Sequence, residues 1–527
     1  MRRRQAEPLP SMPDSPGKRS LPLFRRDGTK DTVKIAPGMG HNLYALLASR
    51  FDAARNAVCL ELDDGTRYTY ADLDAETARF ANLLVSLGLK RGDRVAAQME
   101  KSPQSVFLYL GCLRAGMVFL PLNTAYQRNE IGYFVGDAEP AAAFCPAQSR
   151  SWFEGVPHLL DPAAAAGQPA RFETVASEAE DLACIVYTSG TTGRAKGAMV
   201  THRNLASNAL ALHASWQFRP GDVLIHSLPL FHVHGLFVAL HTALVNASRI
   251  ILLPRFDAGP VMRHFAQATV FMGVPTYYVR LLSEPDLDPE LCARMRLFVS
   301  GSAPLLPETF NVFRSRTGHT ILERYGMTET GMNTSNPYDA ERRGGTVGLP
   351  LPGIELRIAD DADRPLATGQ IGGIQVRGPN VMPGYWRLPD RRQEDFAADG
   401  YFRTGDLGRL DADGYLSIVG REKDLVISGG YNIYPREIEM LLDELPGVTE
   451  SAAFGLPHAD LGEALTVAIV TKPGAKLTQE AVIAHVKGTL ANFKVPKRVI
   501  FVPELPRNAM GKVLKNELRT AYGDKAG

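Results

Sequence analysis

A strand-like apolar run at 182–187 leads directly into a ten-residue segment, 188–197, that carries four hydroxyl side chains, three glycines and two cations. Glycine lets backbone N–H groups approach an anion closely, and the hydroxyls and Lys196 add further donors and positive charge. This composition is typical of a loop that holds phosphate. It is not a Walker A loop, because Gly197 stands where that motif has Ser or Thr after the lysine. A polar surface turn between a strand and a helix is the alternative interpretation.

Further segments with chemistry-bearing residues follow in order along the chain. They are LPLFHVHG at 228–235, SGSAPL at 300–305, ERYGMTET at 323–330, YFRTGDLG at 401–408, GREKDLVISGGYNIYPREIE at 420–439 and PRNAMGK at 506–512. With YTSGTTGRAKG at 187–197, they resemble the ordered motifs of the adenylate-forming superfamily, which contains acyl-CoA synthetases, luciferases and nonribosomal adenylation domains. The resemblance extends from Leu43 to the C-terminus. It implies that a carboxylate attacks the α-phosphorus of ATP and releases pyrophosphate, after which a thiol displaces AMP.

The resemblance also implies an ATP site that holds Mg²⁺. Its residues are Thr188, Ser189, Gly190, Thr191, Thr192, Gly193, Lys196, Gly301, Ser302, Ala303, Pro304, Glu323, Arg324, Tyr325, Gly326, Thr328, Asp406 and Arg421. In relatives the loop holds the β and γ phosphates, Thr328 contacts phosphate and Glu329 ligates Mg²⁺, as a single carboxylate beside phosphate oxygens commonly does. Tyr325 would stack on adenine, and Asp406 would accept both ribose hydroxyls with Arg421 beside it. Taken alone, these residues could equally be a surface acid, a core tyrosine and a turn residue.

Lys512 is the main catalytic candidate near the C-terminus, beside Lys196 and Glu329. The resemblance implies that it bridges the substrate carboxylate and the α-phosphate and compensates the charge that develops there. An ordinary exposed lysine is the alternative. The family rotates its small C-terminal domain between the two half-reactions, and Lys423 occupies the hinge position. After rotation Ser428, Gly429, Gly430 and Tyr431 would line a tunnel for the pantetheine arm of coenzyme A.

The segment 323–353 most resembles the malonate-activating branch of the acyl-CoA synthetases. Malonate has a second carboxylate, which a cation must hold if it is to leave water. We expect Arg280 to be that cation, with Arg255 as the second choice, because arginine can bind a carboxylate through two parallel bonds. His232 and His234 flank the expected acid pocket. Met332 would limit its length, and methylmalonate would be a further acceptable acid because a pocket wall discriminates one methylene weakly.

The elements that position these residues alternate between strands and helices. Strand, helix and strand are predicted at 94–99, 103–113 and 116–121, which favours parallel sheets covered by helices. Residues 345–414 are rich in Gly and Pro with short alternating runs, which indicates a β-rich part. We therefore predict an α/β protein, in which a large N-terminal domain of stacked α/β sheets with a β-rich subdomain precedes a smaller mobile α+β C-terminal domain.

The predicted boundaries are a disordered extension at 1–40, the large domain at 41–420, a hinge at 421–424 and the small domain at 425–527. The first segment is rich in Arg, Lys and Pro and has no apolar signal-peptide core. Met39 directly precedes the first helix-like run, so we hypothesise that translation starts there.

Composition excludes several classes of protein. Lys plus Arg total 58 and Asp plus Glu total 57, so no basic excess is available for binding nucleic acid or a membrane surface. The most apolar stretch, 235–253, contains His241, Asn246 and Arg249, which favours a helix and a buried strand over a membrane span. The five cysteines are scattered without CxxC spacing, which disfavours disulfides and zinc and indicates a reducing compartment. We expect a cytoplasmic monomer or small homo-oligomer.

The predicted activity is ATP-dependent ligation of malonate to coenzyme A through malonyl-AMP. Malonate, ATP and coenzyme A would be its small-molecule partners. Three alternatives stay open at this point: activation of another short acid, loading of a carrier-protein thiol, and an adenylate-binding regulator without catalysis. The presence of Lys196, Glu329, Asp406 and Lys512 argues against the last of these.

Overall fold

The computed structural model describes residues 22–24, 30–32, 40–188, 195–429, 431–458 and 460–523. The chain divides into two units, Met1–Lys34 and Ile35–Gly527. In the first unit β1 (Pro22–Phe24) pairs antiparallel with β2 (Lys30–Thr32). These residues fall in the segment predicted to be a disordered extension, and that assignment of 1–40 remains a prediction. Met39 lies outside the described residues.

The second unit contains the remaining strands. They are β3 (Val58–Leu62), β4 (Arg67–Thr69), β5 (Arg94–Ala97), β6 (Val118–Pro121), β7 (Ala142–Phe144), β8 (His158–Leu160), β9 (Leu182–Thr188), β10 (Lys196–Thr201), β11 (Val223–His226), β12 (Arg249–Leu252), β13 (Val270–Gly273), β14 (Leu297–Ser300), β15 (Leu322–Met327), β16 (Gly331–Ser335), β17 (Leu349–Pro350), β18 (Glu355–Ala359), β19 (Gly372–Arg377), β20 (Phe402–Leu410), β21 (Leu416–Arg421), β22 (Val426–Ser428), β23 (Tyr431–Ile433), β24 (Val448–His458), β25 (Gly462–Thr471) and β26 (Arg498–Phe501).

The helices of this unit lie between the strands. They are α1 (Leu43–Ala48), α2 (Tyr70–Ser86), α3 (Pro103–Arg114), α4 (Arg128–Ala138), α5 (His202–Ser215), α6 (Leu240–Val245), α7 (Ala258–Arg263), α8 (Pro275–Leu282), α9 (Pro307–Thr317), α10 (Arg392–Asp395), α11 (Pro435–Asp443), α12 (Gln479–Thr489) and α13 (Lys515–Gly523). A π-helical turn, His234–Ala239, runs directly into α6. No helix in the described part of the chain is long and apolar enough to cross a membrane.

The second unit contains a six-stranded sheet in the order β10-β9-β6-β5-β7-β8. All pairings in this sheet are parallel except that of β10 with β9. The unit β5-α3-β6 confirms the strand, helix and strand predicted between 94 and 121. Helix α3 begins because the Ser102 side chain accepts from the Ser105 N–H and Pro103 occupies its first turn. All of α3 except Gln104 is buried, so both faces of this helix are covered.

A nine-stranded sheet in the order β17-β16-β15-β14-β13-β11-β12-β3-β4 forms the second layer. Its central strands are parallel, and residues such as Ile225, Phe271 and Phe298 build its core. Because the carboxyl ends of parallel strands meet at one edge, the segments 228–235, 273–280 and 300–305 converge there.

The β-rich part and the C-terminal part form separate sheets. Strands β18-β19-β20-β21 make a four-stranded antiparallel sheet. After β21 a 3₁₀ turn, Glu422–Asp424, precedes β22, and β22 to β26 form their own sheet with α11 and α12 packed on a core that includes Ile438, Val467 and Val482. We call residues 41–420 the large domain and residues 425–523 the small domain. The turn coincides with the predicted hinge.

Candidate active site

A cavity of about 310 Å³ lies where the large and small domains meet. Its large-domain wall contains the segment 302–306, β15 and the first residues of α8, and its small-domain wall contains residues of α11 and the loop 506–513. Many of the residues predicted for the ATP site line it, together with the catalytic candidate Lys512. They are Ser302, Ala303, Pro304, Glu323, Arg324, Tyr325, Gly326, Asp406, Arg421 and Lys512. Motifs separated by up to two hundred residues in sequence therefore share one cavity.

The buried carboxylate of Asp406 binds the side chains of Tyr325 and Arg421. Tyr325 Oη donates to Asp406 Oδ2 at 2.5 Å, and Arg421 Nε lies 2.9 Å from Oδ1. Asp406 and Arg421 are register partners on β20 and β21, so the sheet itself brings them together. Coulombic attraction to Asp406 raises the pKa of Arg421, and burial raises the pKa of Tyr325 well above its ordinary value. Each carboxylate oxygen keeps a second lone pair, so the predicted role toward a ribose diol fits this arrangement.

Glu329 and Lys196 both contact Tyr385. Glu329 binds the tyrosine hydroxyl, and the Lys196 amine lies over the ring. Glu329 is 6% exposed, and its Oε1 accepts from Tyr385 Oη at 2.9 Å and from Thr188 Oγ1 at 3.4 Å. Lys196 Nζ lies 4.5 Å from the centre of the same ring, and burial lowers the pKa of its amine. Tyr385 belongs to no motif; it reaches this position because it pairs with Ala198 on β10. Sequence reasoning missed it for that reason.

The predicted phosphate loop is described only at its ends. Thr188 ends β9, Lys196 begins the antiparallel partner β10, and the Thr188 hydroxyl donates to Glu329. The predicted contacts at Ser189, Gly190, Thr191, Thr192 and Gly193 lie outside the described residues. Thr328 lines a small pocket with Glu329.

The site offers one protein carboxylate, that of Glu329, as a ligand for a magnesium ion. No group of three or more His, Cys, Asp or Glu residues in the described ranges is placed to hold a metal by itself. The buried Glu329 carboxylate, fixed by the Tyr385 hydroxyl, fits an ion that takes its other ligands from phosphate oxygens and water. The residues present therefore fit Mg²⁺ bound together with ATP.

Lys512 reaches the cavity on a tight loop that begins at Pro506. Asn508 Oδ1 accepts from the Met510 and Lys512 N–H groups, each at 3.0 Å, and Asn508 N–H donates to Lys512 O at 3.0 Å. Gly511 supplies the turn with a φ of +73°, a value that favours glycine. Burial lowers the pKa of the Lys512 amine to about 8, and repulsion by Arg421 adds to the effect.

The small domain adds a charged wall that the sequence analysis did not predict. Lys515 Nζ lies 2.6 Å from Glu439 Oε1, and Arg436 faces both Glu439 and Asp443 at 3.8 and 3.9 Å. Burial raises the pKa of Asp443 to about 6. The signal that could have found this wall is the i, i+3 and i+4 spacing of charges on the inner face of α11.

The carboxylate of Glu323 binds the backbone of the segment 300–305. Its Oε1 accepts from the Leu305 N–H at 3.0 Å and so holds the SGSAPL turn, while burial raises the pKa of the carboxyl to about 7. The predicted contact of Glu323 with ATP remains a prediction.

The two histidines predicted to flank the acid pocket lie close to Ser302, which lines the cavity. Ser302 takes a φ of +72°, and its Oγ lies 3.2 Å from His234 Nδ1. His232 Nδ1 accepts from the His234 N–H at 3.1 Å. Burial lowers the pKa of His232 to about 4 and that of His234 well below its ordinary value, so both rings are neutral near pH 7. Buried Met332 packs on Gly326, where an added Cβ would lie 2.5 Å from Met332 Cε.

The role predicted for Arg280 remains a prediction, and the structure places this residue outside the cavity lining. Arg280 is exposed on α8 and is not among the residues that line the cavity. The reason is helical periodicity: Tyr278 and Leu281 form the buried face of α8, so Arg280 turns toward its outer side. Arg255, the second choice, is also exposed. Arg324, which sequence reasoning assigned to ATP, is one of several arginines that line the cavity, and its side chain is buried.

The predicted hinge and tunnel residues lie apart from the cavity lining, except that Arg421 and Asp424 line it. Lys423 is exposed in the 3₁₀ turn, and Gly429 has a φ of +57°. Tyr431 is 56% exposed and stacks on Phe493 with ring centres 4.5 Å apart, whereas Ser428 is buried. Gly430 lies outside the described residues. The roles of these residues after domain rotation remain predictions.

Comparison with known proteins agrees with this arrangement. Residues 48–386 match the AMP-binding enzyme family, and residues 437–512 match the AMP-binding enzyme C-terminal domain. The chain is 35% identical over 518 residues to the malonate–CoA ligase of Arabidopsis thaliana, covering 86% of this chain and 85% of the relative. It is 34% identical over 508 residues to a long-chain-fatty-acid–CoA ligase of Salmonella typhimurium, covering 86% and 90%.

Solved structures extend the similarity to the whole fold. The crystal structure of ATP-bound MatB from Rhodopseudomonas palustris is 50% identical in sequence and superposes with a TM-score of 0.90, covering 93% of this chain and 100% of that chain. The predicted α/β architecture is confirmed. The chain belongs to the AMP-binding enzyme family, and to its AMP-forming acid–CoA ligases, which use ATP, Mg²⁺ and coenzyme A.

Proposed function

We propose that the enzyme ligates malonate to coenzyme A, forming malonyl-AMP and pyrophosphate from malonate and ATP and then malonyl-CoA and AMP. The observation that carries this proposal is the buried cation in the cavity wall. Arg324 lines the cavity next to Gly326, against which Met332 packs. A pocket for a long fatty acid would instead need an extended apolar lining. The similarity to a malonate–CoA ligase supports the same choice of acid.

Adenylation requires several anions to approach one another. Lys512 and Arg421 share the cavity with Asp406, and Lys512 would hold the reacting carboxylate against the α-phosphate while pyrophosphate leaves. Lys196 and Thr188 would contact the β and γ phosphates. Magnesium held by Glu329 would neutralise phosphate charge. Tyr325, fixed by Asp406, would pack against adenine.

Thiolysis needs a different arrangement of the same chain. The thiol sulfur of coenzyme A attacks the acyl carbon and AMP leaves with the electron pair of the broken acyl–phosphate bond. Lys512 lines the cavity in the arrangement described above, and the small domain would rotate about residues 421–424 to move it away and to admit the pantetheine arm past Ser428 and Gly429.

Initial rates test the choice of acid. Coenzyme A-dependent AMP formation is measured with acetate, propionate, malonate, methylmalonate and succinate under the same conditions. Malonate is expected to have the highest kcat/KM, with methylmalonate next because one methyl group changes binding by only about 1–3 kcal/mol. A higher kcat/KM for acetate or propionate would end the dicarboxylate proposal. Release of ADP in place of AMP would contradict the adenylate route.

A further inference from the structure

Lys101 joins the two sheets of the large domain. It lies between β5 and α3, directly before Ser102, at which α3 is capped. The Lys101 amine lies 2.8 Å from His226 Nδ1 and 2.7 Å from His226 O. His226 is the last residue of β11 and is completely buried. The amine therefore holds one residue of the second sheet twice, by its side chain and by its backbone.

The partners of the His226 ring determine which of its nitrogens carries hydrogen. Because a carbonyl oxygen only accepts, ring Nε2 donates to Gly235 O, 3.0 Å away. Burial lowers the pKa of His226 well below its ordinary value, so the ring is neutral and Nδ1 accepts from Lys101. Burial also lowers the pKa of Lys101, but both forms of an amine have N–H donors. Lys101 thus holds the ring in the form that binds Gly235.

Gly235 is the point at which the segment 228–235 turns back on itself. A Cβ added to Gly235 would lie 2.1 Å from Pro229 O, so the turn has room only for glycine. The π-helical turn His234–Ala239 contains this glycine. The hydrogen bond from the His226 ring to Gly235 O therefore fixes the turn that carries both histidines of the LPLFHVHG segment.

The same turn reaches the cavity through one of these histidines. His234 Nδ1 lies 3.2 Å from Ser302 Oγ, and Ser302 lines the cavity. The His234 N–H donates to His232 Nδ1 at 3.1 Å, which holds the His232 ring against the turn. The other end of the segment 300–305 is held separately by the Glu323 carboxylate. A shift of the turn would therefore move the two histidines more than the wall predicted for adenine.

We propose that Lys101 is a positioning residue for the acid pocket: through His226 it holds the turn at Gly235 and so determines where His232 and His234 lie. The proposal rests on the proposed function only in placing the acid beside these two histidines. Lys101 lies outside every motif segment of the sequence analysis. A displacement of about 1 Å at a substrate-positioning group can reduce the rate on the order of 10²-fold, so a remote amine can matter to the acid.

Separate titrations of malonate and ATP in steady-state kinetics test the assignment. Lys101→Met removes the N–H donors and keeps an unbranched side chain of similar length. We expect the KM for malonate to rise about 10–100-fold while the KM for ATP changes less than about threefold. A loss of packing alone would not separate the two substrates in this way.

Arg114→Met is the matched control. Arg114 is a buried cation at the other end of α3, and its guanidinium binds the backbone oxygens of Asp74 and Phe172. Its replacement should lower the melting temperature, because it leaves buried acceptors without a donor. Both KM values should stay within about threefold of the wild type, since this arginine has no path to the acid pocket.

Variants of His226 test whether Lys101 acts through the ring. His226→Phe removes both ring hydrogen bonds and should raise the KM for malonate about as much as Lys101→Met. His226→Gln keeps an amide that can donate to Gly235 O, so it should restore most of the wild-type value. The double variant Lys101→Met/His226→Phe should exceed the larger single effect by less than about threefold, because both changes break the same path.

Several results would overturn the inference. In Lys101→Met, an unchanged KM for malonate or an equal rise in the KM for ATP would leave Lys101 as a structural link between the sheets. A double variant that shows the product of the two single effects would mean that Lys101 acts without His226.

Nuclear magnetic resonance decides the matter if Lys101→Met does not fold, as judged by its melting temperature. The ¹⁵N-histidine signals of the wild type should contain one ring in the Nε2–H form that is lost in His226→Gln. An Nδ1–H form for that ring would contradict the proposal, since Nδ1 could not then accept from Lys101.

Failure of the proposed function would be seen separately. If the wild type prefers an acid other than malonate, the choice of malonate falls, and that acid replaces malonate in every titration. The difference between the KM for the acid and the KM for ATP in Lys101→Met then still supports or overturns the role of Lys101.

Discussion

Gly511 of the small domain lies directly against Thr276 at the start of α8 in the large domain: a Cβ added to Gly511 would be 2.9 Å from Thr276 Oγ1 and 3.1 Å from Cγ2. The contact brings the neighbouring Lys512 into the cavity that Tyr325 and Asp406 line. The close contact of the two domains at Gly511 therefore helps to hold Lys512 in the cavity, where we expect it to act in adenylation.

Gly511→Ala should impair adenylation more than thiolysis. Alanine is strained at a φ of +73°, and its methyl group meets the stiff side chain of Thr276. We expect kcat/KM for acid-dependent pyrophosphate exchange to fall by about 10–100-fold. Thiolysis of supplied acyl-AMP should change less than about threefold, because we expect that step to take place with the small domain rotated away.

Gly474→Ala is the matched control for this variant. Gly474 also lies in the small domain with a φ of +79°, but an added Cβ there meets nothing within 4 Å. It should carry the backbone strain without the adenylation defect. Similar exchange rates in the two variants would mean that the contact with Thr276 does not matter.

Lys512→Ala should separate the two half-reactions. The cavity places this amine beside Asp406 and Arg421, where it can neutralise the reacting carboxylate and the α-phosphate. Pyrophosphate exchange should fall by about 10³-fold, as expected when a preorganised charge is lost, while thiolysis of supplied acyl-AMP should persist. Equal losses in both assays would contradict the assigned role.

The pH dependence of adenylation reports the state of the same amine. Burial lowers the pKa of Lys512 to about 8, and the charged form, present below that pH, is the one the reaction needs. The value of kcat/KM for exchange should therefore fall as pH rises through about 8, toward tenfold per unit. An ordinary lysine would titrate only above about 10.

Lys512→Arg provides the comparison for the pH profile. Arginine stays charged throughout this range, so any remaining exchange activity should be flat from about pH 7 to 9.5. A wild-type profile that is equally flat would show that Lys512 keeps its charge, or that its charge does not limit the reaction.

Glu329→Gln should raise the magnesium requirement. Glutamine keeps the shape and the partner Tyr385 but removes the negative charge that fits Mg²⁺. The Mg²⁺ concentration for half-maximal exchange should rise at least about tenfold. Tyr385→Phe removes one hydrogen bond and leaves the carboxylate, so its shift should be smaller, given the modest net energy of a single hydrogen bond. A Glu329→Gln curve that overlays the wild type would exclude this carboxylate as a ligand.

Much of the fold could be predicted from the sequence because it depends on local sequence patterns. The alternation of apolar runs and helical spacing predicts β5, α3 and β6 with small shifts at their ends. The motif segments carry residues to the ends of neighbouring parallel strands, and that topology explains why they share a cavity.

The parts that escaped prediction depend on distant contacts. The sequence around Tyr385 does not indicate that its hydroxyl donates a hydrogen bond to Glu329, which lies fifty-six residues earlier in the chain. The orientation of Arg280 follows from which face of α8 is buried, and the position of the Arg324 guanidinium follows from its packing on Gly301. Each is a property of tertiary packing, which a motif does not encode.

The central claim is that the enzyme selects malonate, and a competition experiment tests it most directly. Equimolar malonate and propionate, both below saturation, are offered together with ATP, Mg²⁺ and limiting coenzyme A, and the two acyl-CoA products are quantified by mass spectrometry. Their ratio equals the ratio of kcat/KM values, because both acids compete for the same free enzyme. The account predicts malonyl-CoA in at least about 100-fold excess, and equal or greater amounts of propionyl-CoA would contradict it.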